Sequence, residues 1–567
     1  MIQKLSILLL LFSLISSADV GFFAEDWKER SSISFNSFEE KQEPVSDPSI
    51  EVSIDVSQQT KKILPNIFGN NINPWLGRAL LEDSTYALSH LKQAGITYLR
   101  LPGGNWANKM LWDGEIHWEL HDDYLSELKG EPNQTWTITP DEMISIANYI
   151  GAKPQICVNL SLARYIPGPD SIEQAAHYAA EWVRHVNKNP ETYTKYWEIG
   201  NENYGSWQAG YIVKGDTMDG MYYGKAFKIF ADSMKSADPS IKLGAVVIEQ
   251  DNGSIGYGGH NFWMKKMLPL IKDKADFLVY HEYFTWAENL NKIPTSEGLE
   301  SLQAIKNAKD SIEALVARYT NKEKDYFPIA VTEYNTRLGD RTNQAFSGLF
   351  IAMAIPEFIE QEYGLVNLWS IVDGYHEGEG DFGMLSEKEE NAEAPYYTPR
   401  PSFYAYYLFQ KMWGDIAIPS PKREFQNLYV ACSRFSTNGD LAILMVNPTN
   451  QTKNIKLNLA NFQSADSIYG FTVSATSETS KNIFLNGETG IYGPTNYEQI
   501  SPWKRKTGNA KFELTPWTYE FVLFPAKEKE VLGLHSPKNN LLKPKQKIQR
   551  DALGKKQNKT RVQKIIY

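Results

Sequence analysis
A chain of 567 residues, 42% hydrophobic and 22% charged with only 2 cysteines, is long enough for two or three domains whose cores need no disulfide staples. That excludes a disulfide-stapled mini-protein, and a net charge of −10 excludes general nucleic-acid binding by the folded part, because phosphate neutralisation needs a basic face. Aromatic residues make up 13% of the chain. They offer flat apolar faces on which a sugar ring could stack, although a large core would account for them equally well.

Residues 1–18 have the pattern of an export signal peptide: Lys4, an apolar or Ser-containing run over 5–15, then Ser16-Ser17-Ala18 as small residues at a cleavage site. The run is too short to span a bilayer, no later segment is apolar for long enough, and no Cys stands ready for a lipid anchor. The expectation is a secreted or periplasmic protein with no membrane span.

Residues 19–48 are polar without a sustained period and read as a linker. Over 49–58, Ile50, Val52, Ile54 and Val56 alternate with polar residues, the pattern of a half-buried strand. From 59 to 414, short apolar runs alternate with amphipathic helical patterns. The clearest helix follows Asp170, with Ile172, Ala175, Ala176, Ala179, Trp182, Val183 and Val186 on one face; others are expected over 223–236 and 302–319. Strands are expected at 63–68, 98–101, 155–158, 196–199, 243–248, 277–280, 329–332 and 365–369. Eight strands separated by helices predict an α/β fold, a (β/α)8 TIM barrel. Neither a Gly-rich dinucleotide fingerprint nor a phosphate loop follows any of them, so no cofactor is expected.

Residues 415–525 are strand formers broken by Asn, Gly, Pro and Thr, which predicts an appended all-β sandwich. The strand over 49–58 has no helix after it and is expected to join that sandwich, with the barrel inserted between. Cys157 and Cys432 fall in different predicted domains and are expected to be buried free thiols. The tail, 526–567, holds 12 Lys and Arg against 3 Asp and Glu. It reads as a solvated, disordered segment, or in the sharper reading as a weak contact to an anionic surface polymer.

In such a barrel the chemistry sits at the C-terminal ends of the strands. The fourth ends Glu198-Ile199-Gly200-Asn201-Glu202 and the seventh ends Thr332-Glu333-Tyr334-Asn335. Two Glu side chains entering one cavity are the paired carboxylates that glycoside cleavage requires, one to protonate the leaving oxygen and one to attack the anomeric carbon. Arg100 ends the second strand, where an unpaired guanidinium would be costly, so pairing with Glu333 is expected. Trp369 ends the eighth strand as a candidate sugar platform, with core packing as the alternative. The loop from His376 to Asp381 gathers oxygen ligands and one imidazole without a calcium-loop spacing; it reads as a solvated loop, and no metal is expected.

These elements resemble the clan A glycoside hydrolases, and within them the family 51 α-L-arabinofuranosidases. The likeness rests on Arg100-Leu101-Pro102-Gly103-Gly104-Asn105-Trp106 and on Gly200-Asn201-Glu202 continuing to Trp207-Gln208-Ala209-Gly210, and it spans roughly 50–525. It implies a retaining enzyme with Glu333 as nucleophile and Glu202 as acid/base, the latter kept protonated by partial burial and its neighbour's charge. It also implies Tyr283 as a hydrogen-bond partner of the nucleophile, with a buried structural Tyr as the alternative, and Asn71, Asn73, Asn105, Asn201 and His281 beside the substrate. Two departures bear on the sugar: Asn73 stands where the family carries a Glu that holds the furanose, and Thr-Glu-Tyr-Asn replaces Asp-Glu-Trp at the seventh strand. The leading expectation is an α-L-arabinofuranosidase acting on an oligo- or polysaccharide. The runner-up is an endo-β-glucanase, xylanase or xylosidase of the same clan, and a non-catalytic glycan-binding protein is a remote third.

Overall fold
Eight parallel strands close into a barrel in chain order in the computed structural model, which describes residues 20–58, 61–76, 80, 84–127, 136–251, 262–285, 293–376, 379–387, 396–529 and 531–532. The leader-like residues 1–18 and nearly all of the basic tail lie outside the described residues. The strands are β1 (Gly69–Asn71), β2 (Tyr98–Leu101), β3 (Lys153–Val158), β4 (Tyr196–Ile199), β5 (Lys242–Val246), β6 (Phe277–Glu282), β7 (Ile329–Tyr334) and β8 (Leu365–Leu368). β8 pairs back onto β1, with Asn367 opposite Gly69.

The first strand begins later than its apolar run suggests. Pro65 opens a 3-10 turn over Pro65–Phe68 instead of a strand, because its ring fixes φ and it has no N–H for a ladder. β1 starts at Gly69, where an added Cβ would lie 1.8 Å from Asn367 Oδ1, so only glycine lets β1 approach β8 this closely.

Helices pack outside the strands: α1 (Ser84–Gln93), α2 (Pro140–Ile150), α3 (Ser171–Asn187), α4 (Gly220–Ala237), α5 (Trp263–Ile271), α6 (Ala304–Thr320), α7 (Ala345–Glu360) and α8 (Pro401–Met412). Thr139 and Glu142 form a capping box that satisfies the first N–H groups of α2, and Gly151 ends it in the left-handed region at φ +82°. α3 buries six of the seven residues of the expected stripe against the barrel, with Ile172 at its first turn only half-buried. No described helix is long and apolar enough to cross a membrane.

The C-terminal strands are β9 (Ile416–Glu424), β10 (Leu428–Arg434), β11 (Leu441–Asn447), β12 (Lys453–Ala460), β13 (Ser467–Ser474), β14 (Trp503–Lys506), β15 (Lys511–Leu514) and β16 (Thr518–Phe524). In the larger sheet the order is β14-β13-β16-β11-β10-β9. A second sheet faces it, built from Ile50–Asp55, β12 and β15, with Ile50–Asp55 parallel to β12. Val52, Ile54, Ile443, Leu457, Phe512 and Val522 fill the space between the sheets. Cys157 and Cys432 are buried free thiols.

The polar segment before this strand is not a free tether. Residues Gly21–Asp26 form a 3-10 turn under the barrel floor, where the Phe23 ring lies 4.8 Å from Tyr196 and 5.5 Å from Phe277. Buried Asp26 accepts hydrogen bonds from Asn66 Nδ2 at 3.0 Å and from the Tyr196 hydroxyl, and pairs with Lys153 at 3.0 Å. Further on, Glu39–Glu40 extend the larger sheet beside Trp503 and Lys504.

Candidate active site
Inward-facing positions of a barrel are normally apolar, but here the upper interior carries a connected polar network. Arg100 on β2 is 0% exposed and anchors it. Its Nε lies 3.0 Å from both Glu198 oxygens, NH1 donates to Glu333 Oε1 at 2.7 Å and to Asn71 Oδ1 at 3.1 Å, and NH2 donates to Asn201 Oδ1 at 2.8 Å. Burial alone would drive the guanidinium toward neutrality; the charges of Glu198 and Glu333 outweigh it and raise its pKa. Glu198 in turn accepts from Gln155 Nε2 at 2.5 Å, and Asn367 donates to Gln155 Oε1 at 2.7 Å. Every donor of a buried charge thus meets an acceptor, the condition under which such a network is tolerated.

The turn after β4 aims Glu202. Gly200 has φ +86°, and an added Cβ there would fall 1.9 Å from Asn203 Oδ1. Glu202 itself sits at φ +42°, a left-handed conformation that costs a residue other than glycine about 1–2 kcal/mol. Trp207 Nε1 and Gln208 Nε2 donate to Glu202 Oε2 at 2.7 and 2.8 Å. His281 Nδ1 lies 2.8 Å from Glu202 Oε1 and 3.5 Å from Glu333 Oε2, and its Nε2 lies 3.1 Å from Thr332 Oγ1. The Tyr283 hydroxyl donates to Glu333 Oε2 at 2.9 Å.

The protonation of Glu202 departs from the expectation of a raised pKa. Burial pushes it up, but the His281 hydrogen bond and charge, the Trp207 hydrogen bond and Arg100 together hold it below the usual carboxylate range. His281 is the complement: burial pulls it down, and the charges of Glu333 and Glu202 raise it above its ordinary value. These opposite shifts favour placing the proton of the Glu202–His281 pair on the imidazole. The donor atoms of Glu202, His281 and Glu333 lie within 4.8 Å of one another, a set that could ligate a cation; with His281 protonated, the cation between the carboxylates is the imidazolium itself.

The other expected residues divide. Asn71 is buried with its amide donating to the Thr332 and Leu368 carbonyls at 2.9 and 3.1 Å, so it props Arg100 rather than reaching toward substrate. Asn201 is likewise spent on Arg100 and Gln208. Asn105 holds the loop after β4, accepting from Ala209 N at 2.8 Å and donating to the Trp207 carbonyl at 3.3 Å. Asn73 is 0% exposed, donates to Ser370 Oγ at 3.2 Å, and leaves Oδ1 without a partner. Trp369 lies over Gly103 and Gly104, where an added Cβ would come within 2.9 and 2.6 Å of its ring. From it a row of indoles crosses the barrel mouth, Trp75 at 6.0 Å, Trp106 at 5.1 Å from Trp75, and Trp136 a further 6.1 Å on and 46% exposed. Asp381, in the loop read as solvated, is instead buried against Arg400 at 2.6 Å, while 377–378 lie outside the described residues.

The sequence assigned no role to Glu198, Asn108 or Gln208, although Glu198 and Gln208 stand in the segments that drew attention to the site. Asn108 donates to the Asn201 carbonyl and to Gln208 Oε1, both at 2.7 Å, which orients Gln208 toward Glu202. Glu198 had one signal: it alternates with Tyr196 and Gly200 on the inward face of β4, so a carboxylate there needs a buried cation.

No family model matches the chain. A probable α-L-arabinofuranosidase C of Aspergillus fumigatus is 26% identical over 222 residues, 34% of this chain and 40% of the relative, so the chain spans about two-fifths of the length of the curated relatives it matches. A crystal structure of an α-L-arabinofuranosidase from Thermotoga maritima superposes with a TM-score of 0.61 at 20% identity, covering 84% of this chain and all of that one. A family 44 xyloglucanase from Paenibacillus polymyxa superposes at 0.57 and 12% identity over 85% of this chain and all of that one. With a closed (β/α)8 barrel, a packed β-sandwich and two glutamates at the ends of β4 and β7, the chain resembles the family 51 α-L-arabinofuranosidases.

Proposed function
We propose that the protein is a retaining glycoside hydrolase, an α-L-arabinofuranosidase in the leading reading, and the approach of Glu202 and Glu333 carries it. The nearest oxygens of the two carboxylates lie within 4.8 Å, which favours the short separation of retaining enzymes, about 5–5.5 Å between carboxyls, over the roughly 6.5–9.5 Å of inverting ones. Glu333, pinned by Arg100 and Tyr283, attacks the anomeric carbon as the glycosidic C–O bond breaks and the leaving oxygen takes a proton from Glu202. Water then cleaves the glycosyl ester with Glu202 as base. His281 supplies the proton that Glu202 passes on.

The test is turnover of para-nitrophenyl α-L-arabinofuranoside against the β-xyloside and soluble β-glucans, with the anomeric configuration of the product. An inverted product would overturn the mechanism. In Glu202→Ala, azide should restore part of the lost turnover of an activated aryl glycoside, since a small anion can replace the base but not the acid. The pH profile adds a second check. The shared proton is lost as pH rises through the raised pKa of His281, so His281→Gln, which leaves only a carboxylate to hold it, should move the basic limb of kcat/KM downward by about one pH unit or more.

The second reading, an enzyme acting within a β-glucan or xylan chain, is favoured by the indole row and by Asn73. An amide in place of a carboxylate gives up charge-assisted hydrogen bonds to the furanose, about 1.5–3 kcal/mol against roughly 1 for neutral ones. Shortening of a β-glucan without arabinofuranoside turnover would select this reading. The leader-like residues 1–18 support export, and the basic tail supports contact with an anionic surface polymer.

A further inference from the structure
A cavity of about 710 Å³ opens off the site between the ends of β4, β5 and β6 and the first turns of α6 with the residues just before it, a size typical of small-ligand sites. It is lined by Glu202, His281 and Tyr283, whereas Glu333 is not among its walls. A general acid stands beside the oxygen that departs, so a cavity reached past Glu202 receives the leaving group. Tyr204, Trp207 and Phe284 give it apolar walls, and Trp207 is 42% exposed with its indole fixed by Glu202.

The remaining charge is all of one sign. Glu249, Glu282, Glu297 and Glu300 line the cavity, and no Lys or Arg is among the described lining residues. Glu282 is buried, accepting from the Tyr280 hydroxyl at 2.6 Å and from Phe284 N at 2.8 Å. Burial, reinforced by the charge of Glu249, still holds its carboxyl up to about 7. Sugar hydroxyls can donate to such carboxylates in charge-assisted bonds. A uronate carboxylate would be stripped of water among four acids, and the one cationic group among the described lining residues, the His281 imidazole, is already taken up by Glu202 and Glu333.

We infer that this cavity is the leaving-group subsite and that its carboxylates select neutral glycans over those bearing a uronic acid there. The inference rests on the hydrolase reading above. The experiment compares arabinofuranosyl-substituted xylo-oligosaccharides carrying one glucuronate on the leaving-group side with their carboxyl-reduced counterparts, by kcat/KM in the wild type and by calorimetric affinity in Glu333→Gln. The neutral compounds should be preferred by about tenfold or more at low salt, less in molar salt, and by several-fold less in the double variant Glu249→Gln, Glu297→Gln. Equal handling of the pair by the wild type, or a preference the double variant leaves unmoved, would overturn the inference. Absence of turnover on every glycoside would sink the hydrolase reading instead, and calorimetry would still read the charge preference.

Discussion

Glu333→Ala is expected to lower turnover by at least about 10⁴-fold, equivalent to about 5.5 kcal/mol of barrier, while the protein stays folded. In the proposed mechanism this carboxylate forms the glycosyl ester, and no other described residue takes that place. Folding survives because Arg100 keeps both oxygens of Glu198 at 3.0 Å and its bond to Asn201 when Glu333 is gone. Activity measurements beside a thermal melt check both halves. Retention of more than about a tenth of wild-type turnover would remove Glu333 from the role of nucleophile.

Arg100→Met should do the opposite to stability. It strands Glu198, which is 0% exposed, as a buried anion without its cation, and breaking a buried pair from one side costs about 3–5 kcal/mol. Glu333 also loses the partner that fixes Oε1. Denaturant unfolding should show the loss, and Arg100→Met combined with Glu198→Gln should recover much of it, since the second change removes the stranded charge. Activity should remain low in the double variant, because Glu333 is still unpinned. Recovery of activity along with stability would mean that Arg100 serves the fold alone.

The two glutamates could be read from the chain because each follows an apolar strand run, and because only one kind of chemistry wants two carboxylates at strand ends four and seven. Arg100 followed from the same logic, as a buried cation must find an anion. Glu198 did not, since it lies inside the expected strand 196–199, and nothing in the sequence marks which face of β4 turns inward. Asn71 and Asn201 were read toward substrate for a related reason: sequence places a side chain at the mouth but does not reveal that both its amide atoms are already committed. The Gly21–Asp26 turn was illegible because two adjacent phenylalanines have no period, and their burial depends on rings from β4 and β6. The lowered pKa of Glu202 was out of reach because it needs His281, contributed by another strand.

The pairing of Ile50–Asp55 with β12 sets an order of assembly. Ile50 lies opposite Ile455, so an edge strand of this sheet and its central strand are separated in the chain by the whole barrel. During synthesis the N-terminal strand emerges first and must wait unpaired, its Val52 and Ile54 exposed, until β12 has been made. Contacts of such sequence separation form late and slowly, after the loop between them has been shortened by structure of its own. Folding of the barrel is expected to bring the two ends together, so that the sandwich closes last, as a clasp over a finished barrel. The waiting strand is therefore the segment most open to wrong pairing while the chain is incomplete.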